Sequence, residues 1–306
     1  MVQVQLRILT FILLVSVFAA CKKDQSDYFT DNDAPPYSQV SSVKLRNYVN
    51  RVFIDLIGRE PIDEEMDLET YNLKINKAST EARKTLVNKL MFDNVFRPGD
   101  SSYTYAYFRR LYDLNKVRFL EGVSDNGLQG EANIYRNNAV SDSLGGNMPG
   151  YEENMDQYNR LILVLQSPEQ LKNGSIGFQN QLGFMIHNAV YDIINMNSFN
   201  FVNAAFSDLL FRFPSQNEFD IAYNMVENNQ SGSLFGSVAS NKSQFVSLIT
   251  ESNEALQGTI IWCYTSLLSR EPTSAELNSE LLKYGVDKNL FQLQQRILIS
   301  DEYANF

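Results

Sequence analysis

Two cysteines, Cys21 and Cys263, and a single histidine, His187, are all the nitrogen and sulfur ligands of their kind in 306 residues. A zinc site draws several of them together, and a covalent haem site needs a CxxCH run, so neither metal chemistry is expected. A cysteine-stapled fold is excluded on the same count. Any Ser-His-Asp or Cys-His relay would have to pass through His187, which lies in the apolar stretch FMIHNAVYDII and reads as a core or interface histidine. No GxxxxGK[ST] or GxGxxG loop is present to cradle a phosphate. Carboxylates are plentiful, but nothing in the sequence singles out a catalytic pair. No enzyme activity and no cofactor are therefore expected. Basic residues are also short: 26 Lys and Arg stand against 36 Asp and Glu, a formal charge of −10. A chain so acidic, without a basic block, repels phosphate backbones, so nucleic acid is not an expected partner.

What is present begins at the N-terminus. Arg7 is the only charge in residues 1–20 and is followed by the run ILTFILLVSVFAA from Ile8 to Ala20. Thirteen residues fall short of the roughly 20 needed to span a bilayer and suit the apolar part of a secretory signal. Ala19 and Ala20 before Cys21 resemble the lipobox of bacterial lipoproteins, with Phe18 where an aliphatic residue is usual. That resemblance implies cleavage before Cys21 and a lipid on its thiol. An ordinary signal with a coincidental cysteine, or an uncleaved anchor, is the alternative. KKDQSD directly after Cys21 looks like the lipoprotein export signal of Bacteroidota, which implies the outer face of the outer membrane, with the periplasmic face as the alternative. Residues 21–40 are polar with the pair Pro35-Pro36 and read as a flexible, disordered tether.

The remainder, 41–306, carries an internal repeat. FIDLIGREPIDEEM (53–66), FSDLLFRFPSQNEF (206–219) and YTSLLSREPTSAEL (264–277) place Arg, Pro and Glu at one spacing: Arg59, Pro61, Glu65; Arg212, Pro214, Glu218; Arg270, Pro272, Glu276. An aromatic residue precedes each Arg by six positions, and an apolar pair stands just before the turn. Upstream, Leu45, Tyr48, Val49, Val52, Phe53, Leu56 and Ile57 recur at helical spacing. Proline stops the first helix near the Arg. Ser215 with Glu218, and Thr273 with Glu276, then form capping boxes that start the second helix, while Ile62 breaks the box in the first copy. Each Arg is expected at a helix C-terminus, braced to the Glu across the turn. Each unit continues into a third helix ending in LMFDNVF, LITESNEA or ILISDEYANF. The expected fold is all-α, with three units at about 41–96, 198–255 and 256–306, packed as a compact bundle or a short solenoid.

Residues 97–197 are expected as an insertion. A helix over 104–120 interleaves aromatics with Arg109, Arg110, Lys116 and Arg118, a core face with snorkelling basic side chains or else a contact surface. Residues 121–155 hold six of the fifteen glycines and read as a long loop, the expected place for a partner or ligand. Asp125-Asn126-Gly127 lacks the ligand series of an EF-hand. Asp142-Ser143-Leu144 resembles the O-glycosylation sequon of Bacteroidota. Residues 159–171 and 178–197 return to helical periodicity.

RVFIDLIGREPIDEE resembles a segment of the helical, cytochrome-associated domains of unknown function of planctomycete proteins, over about 15 residues. The third copy with its SDEYANF ending is similar to helical repeat domains of bacterial surface proteins. Both imply helices and a structural motif and carry no chemistry to transfer. Two functions are expected from all this. One is a lipid-anchored, non-enzymatic helical protein that binds another component of the outer membrane or surface. The alternative is a glycan- or small-ligand-binding surface lipoprotein that uses the aromatic-rich insertion.

Overall fold

The computed structural model describes residues 40–306, so the expected leader, Cys21 and residues 22–39 of the tether lie outside the described residues. The described chain is all-α apart from one short hairpin. The first unit is α1 (Ser42–Ile57), α2 (Asp63–Ile75) and α3 (Thr80–Phe92). The following segment holds α4 (Tyr103–Phe119), α5 (Asp125–Leu144), α6 (Met148–Lys172), α7 (Phe178–Ile186) and α8 (Ala189–Asn195). The second unit is α9 (Ser198–Leu210), α10 (Gln216–Asn228), the strands β1 (Gly232–Leu234) and β2 (Ser237–Ala239), and α11 (Lys242–Glu251). The third is α12 (Asn253–Leu268), α13 (Ser274–Asp287), α14 (Leu290–Leu298) and α15 (Asp301–Ala304).

The apolar stripe of α1 faces inward as its spacing predicts: all seven named residues are buried. Each such side chain removed from water contributes about 1.5–3 kcal/mol against the ordering entropy. The helix stops at Gly58, whose φ of +78° lies in the left-handed region; a Cβ there would also press on Arg110 of α4, 3.1 Å away. Pro61 then forces the chain out of helical angles. The cap of α2 is Ile62, and it keeps half of a capping box: its N–H donates to Glu65 Oε2 at 2.9 Å. The complete boxes at Ser215 and Thr273 form as expected.

Residues 121–155 are not a loop. Ser124 caps α5, Asp125 sits in its first turn, and α5 and α6 form an antiparallel hairpin joined only by Gly145-Gly146-Asn147. Leu128, Ala132 and Ala139 are the residues α5 buries, a narrow stripe at 4 and 7 spacing. Leu128 and Ala132 belong to the main core, whereas Ala139 is buried outside it, so the outer part of the hairpin packs on itself as an arm.

The segment carrying this arm repeats the frame of a unit. Helix α4 packs on α1 as α12 packs on α9. Both α7 and α14 have nine residues and end against the caps Asn188 and Ser300; three residues on stand the buried Tyr191 and Tyr303. The arm occupies the place of the single helix α13. Contacts across the halves are reciprocal: α3 packs on α14 and α11 on α7, α15 on α1 and α8 on α9. Tyr303 donates to Asp55 at 2.7 Å, and Tyr191 to Asp208 at 2.9 Å. The described region is thus built of two like halves, and its C-terminal helices close onto its first: Tyr48 donates to Leu298 O at 3.2 Å, and buried Arg83 meets Asp301 at 2.7 Å.

Candidate functional site

The nine turn residues named by the sequence come together in three clamps of one design. Each Arg meets the Glu six residues on with both terminal nitrogens, at 2.7 and 2.8 Å for Arg59–Glu65, 2.9 and 2.7 Å for Arg212–Glu218, and 2.9 and 2.7 Å for Arg270–Glu276. Nη1 also donates to the carbonyl of the residue before the proline: Glu60, Phe213 and Glu271. The aromatic six positions upstream explains itself here: the guanidinium lies 5.6 Å from the Phe53 ring, 5.4 Å from Phe206 and 5.4 Å from Tyr264.

A second carboxylate on each Arg was not visible in the motif. Arg59 Nε donates to Asp100 at 3.0 and 3.1 Å, Arg212 Nε to Glu254 at 2.8 Å, and Arg270 Nε to Glu302 at 2.6 Å. Glu254 and Glu302 stand two residues after the caps Ser252 and Ser300, inside the endings that recur in the second and third units. The repeated tail of the unit was the available signal. Asp100, before α4, has no such context.

Electrostatics fit a brace. The hydrogen bonds from Arg212 and Arg270 hold Glu218 and Glu276 down to about 2. Burial pushes Glu65 up, but Arg59, Tyr103 and the Ile62 N–H outweigh it and hold it at about 2. The three arginines are raised, first through those same hydrogen bonds to carboxylates. With Nε, Nη1 and Nη2 all engaged, each guanidinium has its donors spent on its own fold. The clamps lock helix to helix. In the segment between the first two units, Gly122 stands where the Arg would be and Val190 where the second acid would be, so arginine and partner are lost together.

The basic residues of α4 are turned to the same purpose. Arg109 pairs with Asp125 at 2.6 Å, Lys116 with Asp125 at 2.8 Å and Asp113 at 3.1 Å. Arg118 donates to Asp208 O among the rings of Phe119, Phe211 and Trp262, and burial lowers it to about 10. These pairs tie the body together, while Arg109 and Arg110 also line a surface cleft.

Among the described residues the first clamp itself lines a cleft of about 570 Å³ with Arg59, Glu65, Asp100 and Tyr103, and two further features are open to a ligand or partner. The first is the tip of the arm, where Val140, Leu144 and Met148 are exposed while Asp142 accepts the amides of Asn147 and Asn154 at 3.0 and 2.8 Å, holding the helices together. Ser143 of the sequon-like triplet is exposed there too. The second is a cleft of about 330 Å³ between α6, α7 and α11. His187 stands in its wall: Arg160, paired with Asp156 at 2.5 Å, donates to His187 Nε2. Burial first, then the charges of Arg160 and Lys242, lower this imidazole to about 3, so it is neutral at ordinary pH with its proton on Nδ1. No group of three or more His, Cys, Asp or Glu suited to a metal is found among the described residues.

No protein-family model, no curated protein and no solved structure matches this chain.

Proposed function

We propose that this chain is a lipid-anchored, non-enzymatic helical protein of the outer membrane that holds another envelope protein through the α5–α6 arm. The arm is the observation that carries this reading. Past Tyr135 in α5 and before Tyr158 in α6 the hairpin leaves the main core, with about 14 Å of α5 beyond it, and ends in an apolar tip. Between positions 131 and 156 it carries five acids, Glu131, Asp142, Glu152, Glu153 and Asp156, against one base, Arg136. The partner that fits is a protein surface with an apolar centre and a basic rim. Anchoring rests on Cys21 and the charged tag after it; no described helix is long and apolar enough to cross a membrane.

The test places a photo-crosslinking residue at Leu144 in cells and compares wild type with a Val140→Asp/Leu144→Asp/Met148→Asp variant. One stoichiometric envelope protein should crosslink at the tip and co-purify with wild type, and co-purification should be lost in the triple variant. A partner that survives the triple substitution, or no crosslink at the tip, refutes the arm as the grip. Labelled palmitate should enter the protein through Cys21, and Cys21→Ser should release it from membranes; a fully membrane-bound Cys21→Ser protein refutes the anchor.

A further inference from the structure

The reciprocal packing of the two halves provides an internal control for the cleft beside His187. The junction of α11 with α7 is matched by the junction of α3 with α14. Aligned on their shared ends, Gly183 corresponds to Gln295 and Gln179 to Phe291, while Ser247 corresponds to Asn88 and Glu251 to Phe92. Burial follows the alignment: Leu86, Val87, Leu90 and Met91 of α3 are buried, as are Phe245, Val246, Ile249 and Thr250 of α11. In the α3–α14 junction those positions fill the groove. Gln295 donates to Asn88, and the Phe92 and Phe291 rings meet edge-on at 5.9 Å. In the α11–α7 junction all four counterparts line the open cleft. One junction is plugged and its twin is hollow, through substitution at the same places.

We propose that the hollow junction is a binding site for a neutral sugar ring. Charge at the site is already matched: Arg160 pairs with Asp156, and Glu251 with Lys288 at 2.5 Å. The imidazole between them is uncharged, so an ionic ligand would meet no spare counter-charge. What the wall offers is single, spread-out hydrogen-bonding groups. Gln179 spends its Nε2 on Tyr284 at 2.7 Å and keeps its Oε1 acceptor, and Asn180 spends Oδ1 on the Gly177 N–H at 2.9 Å and keeps its amide donors. His187 supplies Nδ1–H, while Ser247 and Thr250, donating to their own helix, keep acceptor lone pairs. Phe184 and Val246 give an apolar flank for the C–H face of a ring. Separate donors and acceptors beside an apolar patch suit the hydroxyls and C–H face of a pyranose, and the volume lies at the small end of ligand sites, about 300–1,000 Å³. This inference is independent of the arm.

The test uses the full chain in a detergent without a sugar headgroup, with glucose, galactose, mannose and N-acetylglucosamine each at about 10 mM, a range that detects millimolar affinity. Saturation-transfer NMR should show at least one of the four bound. Gly183→Gln/Ser247→Asn, which rebuilds the plug of the twin junction, should abolish binding without lowering the melting temperature. A Cβ at Gly183 meets Val246 and Thr250 only at 3.7 Å and beyond, so Gly183→Ala should bind as wild type does. Asn180→Ala, at an exposed position, should weaken binding about tenfold whatever the plugged variant does. Binding by none of the four sugars, or binding unchanged in both the plugged and the Asn180→Ala variants, overturns the proposal.

Discussion

Replacing each clamp arginine by glutamine in turn makes one substitution in three copies of one motif, so only the surroundings differ. Glutamine keeps most of the stem and removes the charge. In the first clamp the carboxylates left behind are Glu65 and Asp100, 13% and 12% exposed. Stripping the cation from a fully buried pair costs about 3–5 kcal/mol, and the partial exposure of Arg59 reduces this to about 2–4 kcal/mol. In the third clamp the carboxylates are Glu276 and Glu302, 33% and 50% exposed, where water takes over much of the lost solvation and the cost is about 1 kcal/mol. Arg212 falls between, with Glu218 and Glu254 at 22% and 39%. Urea unfolding with a shared slope should therefore rank the losses Arg59→Gln, then Arg212→Gln, then Arg270→Gln. The first variant should also melt several degrees lower, at about 2–4 °C per kcal/mol for a chain of this size. Equal losses at the three sites, or the largest loss at Arg270, would refute burial as the determinant of what a clamp contributes.

Acid should act on the same groups. Glu65, Glu218 and Glu276 lie near 2 in the fold against an ordinary 4.5, so their contribution is complete above pH 4.5 and is lost as pH falls toward 2. Urea midpoints that stay flat between pH 4.5 and 2.5 would contradict this. Gly258→Ala should destabilise by about 3 kcal/mol or more, since its Cβ would stand 1.9 Å from Leu209 O at the α9–α12 crossing; a melting temperature within a degree of wild type would contradict that contact. Gly130→Ala, inside α5 with open space around it, should instead stabilise by about 0.5–1 kcal/mol by calorimetry, and a loss would argue against α5 being helical there.

The clamps were legible because proline, a capping hydroxyl and a paired charge each impose a hard local constraint, and all three lie within eight residues. Their second acids lie 32 to 42 residues further on, beyond the reach of any local rule. The arm is hidden in the sequence for a physical reason. Six glycines and few apolar residues suggest a loop, but a two-helix hairpin needs only one narrow seam, and Leu128, Ala132 and Ala139 supply it with side chains too small to raise the local hydropathy. The 4-then-7 spacing of those residues was the usable signal. Gly122 and Val190 hide the unit-like frame of α4 to α8 in the sequence, because they replace the residues that mark the other copies and leave only the matched lengths of α7 and α14. The cleft followed from that correspondence, which no spacing rule contains.

The closure of α14 and α15 onto α1 and α3 sets an order of events. Tyr48 finds Leu298, Arg83 finds Asp301 and Asp55 finds Tyr303 across separations of 218 to 250 residues. The first repeat unit must therefore wait with its inner face exposed until residues 298–303 arrive. Removing residues 301–306 would take away the partners of Asp55 and Arg83 and leave the inner face of the first unit open, so these distant segments complete one folding event.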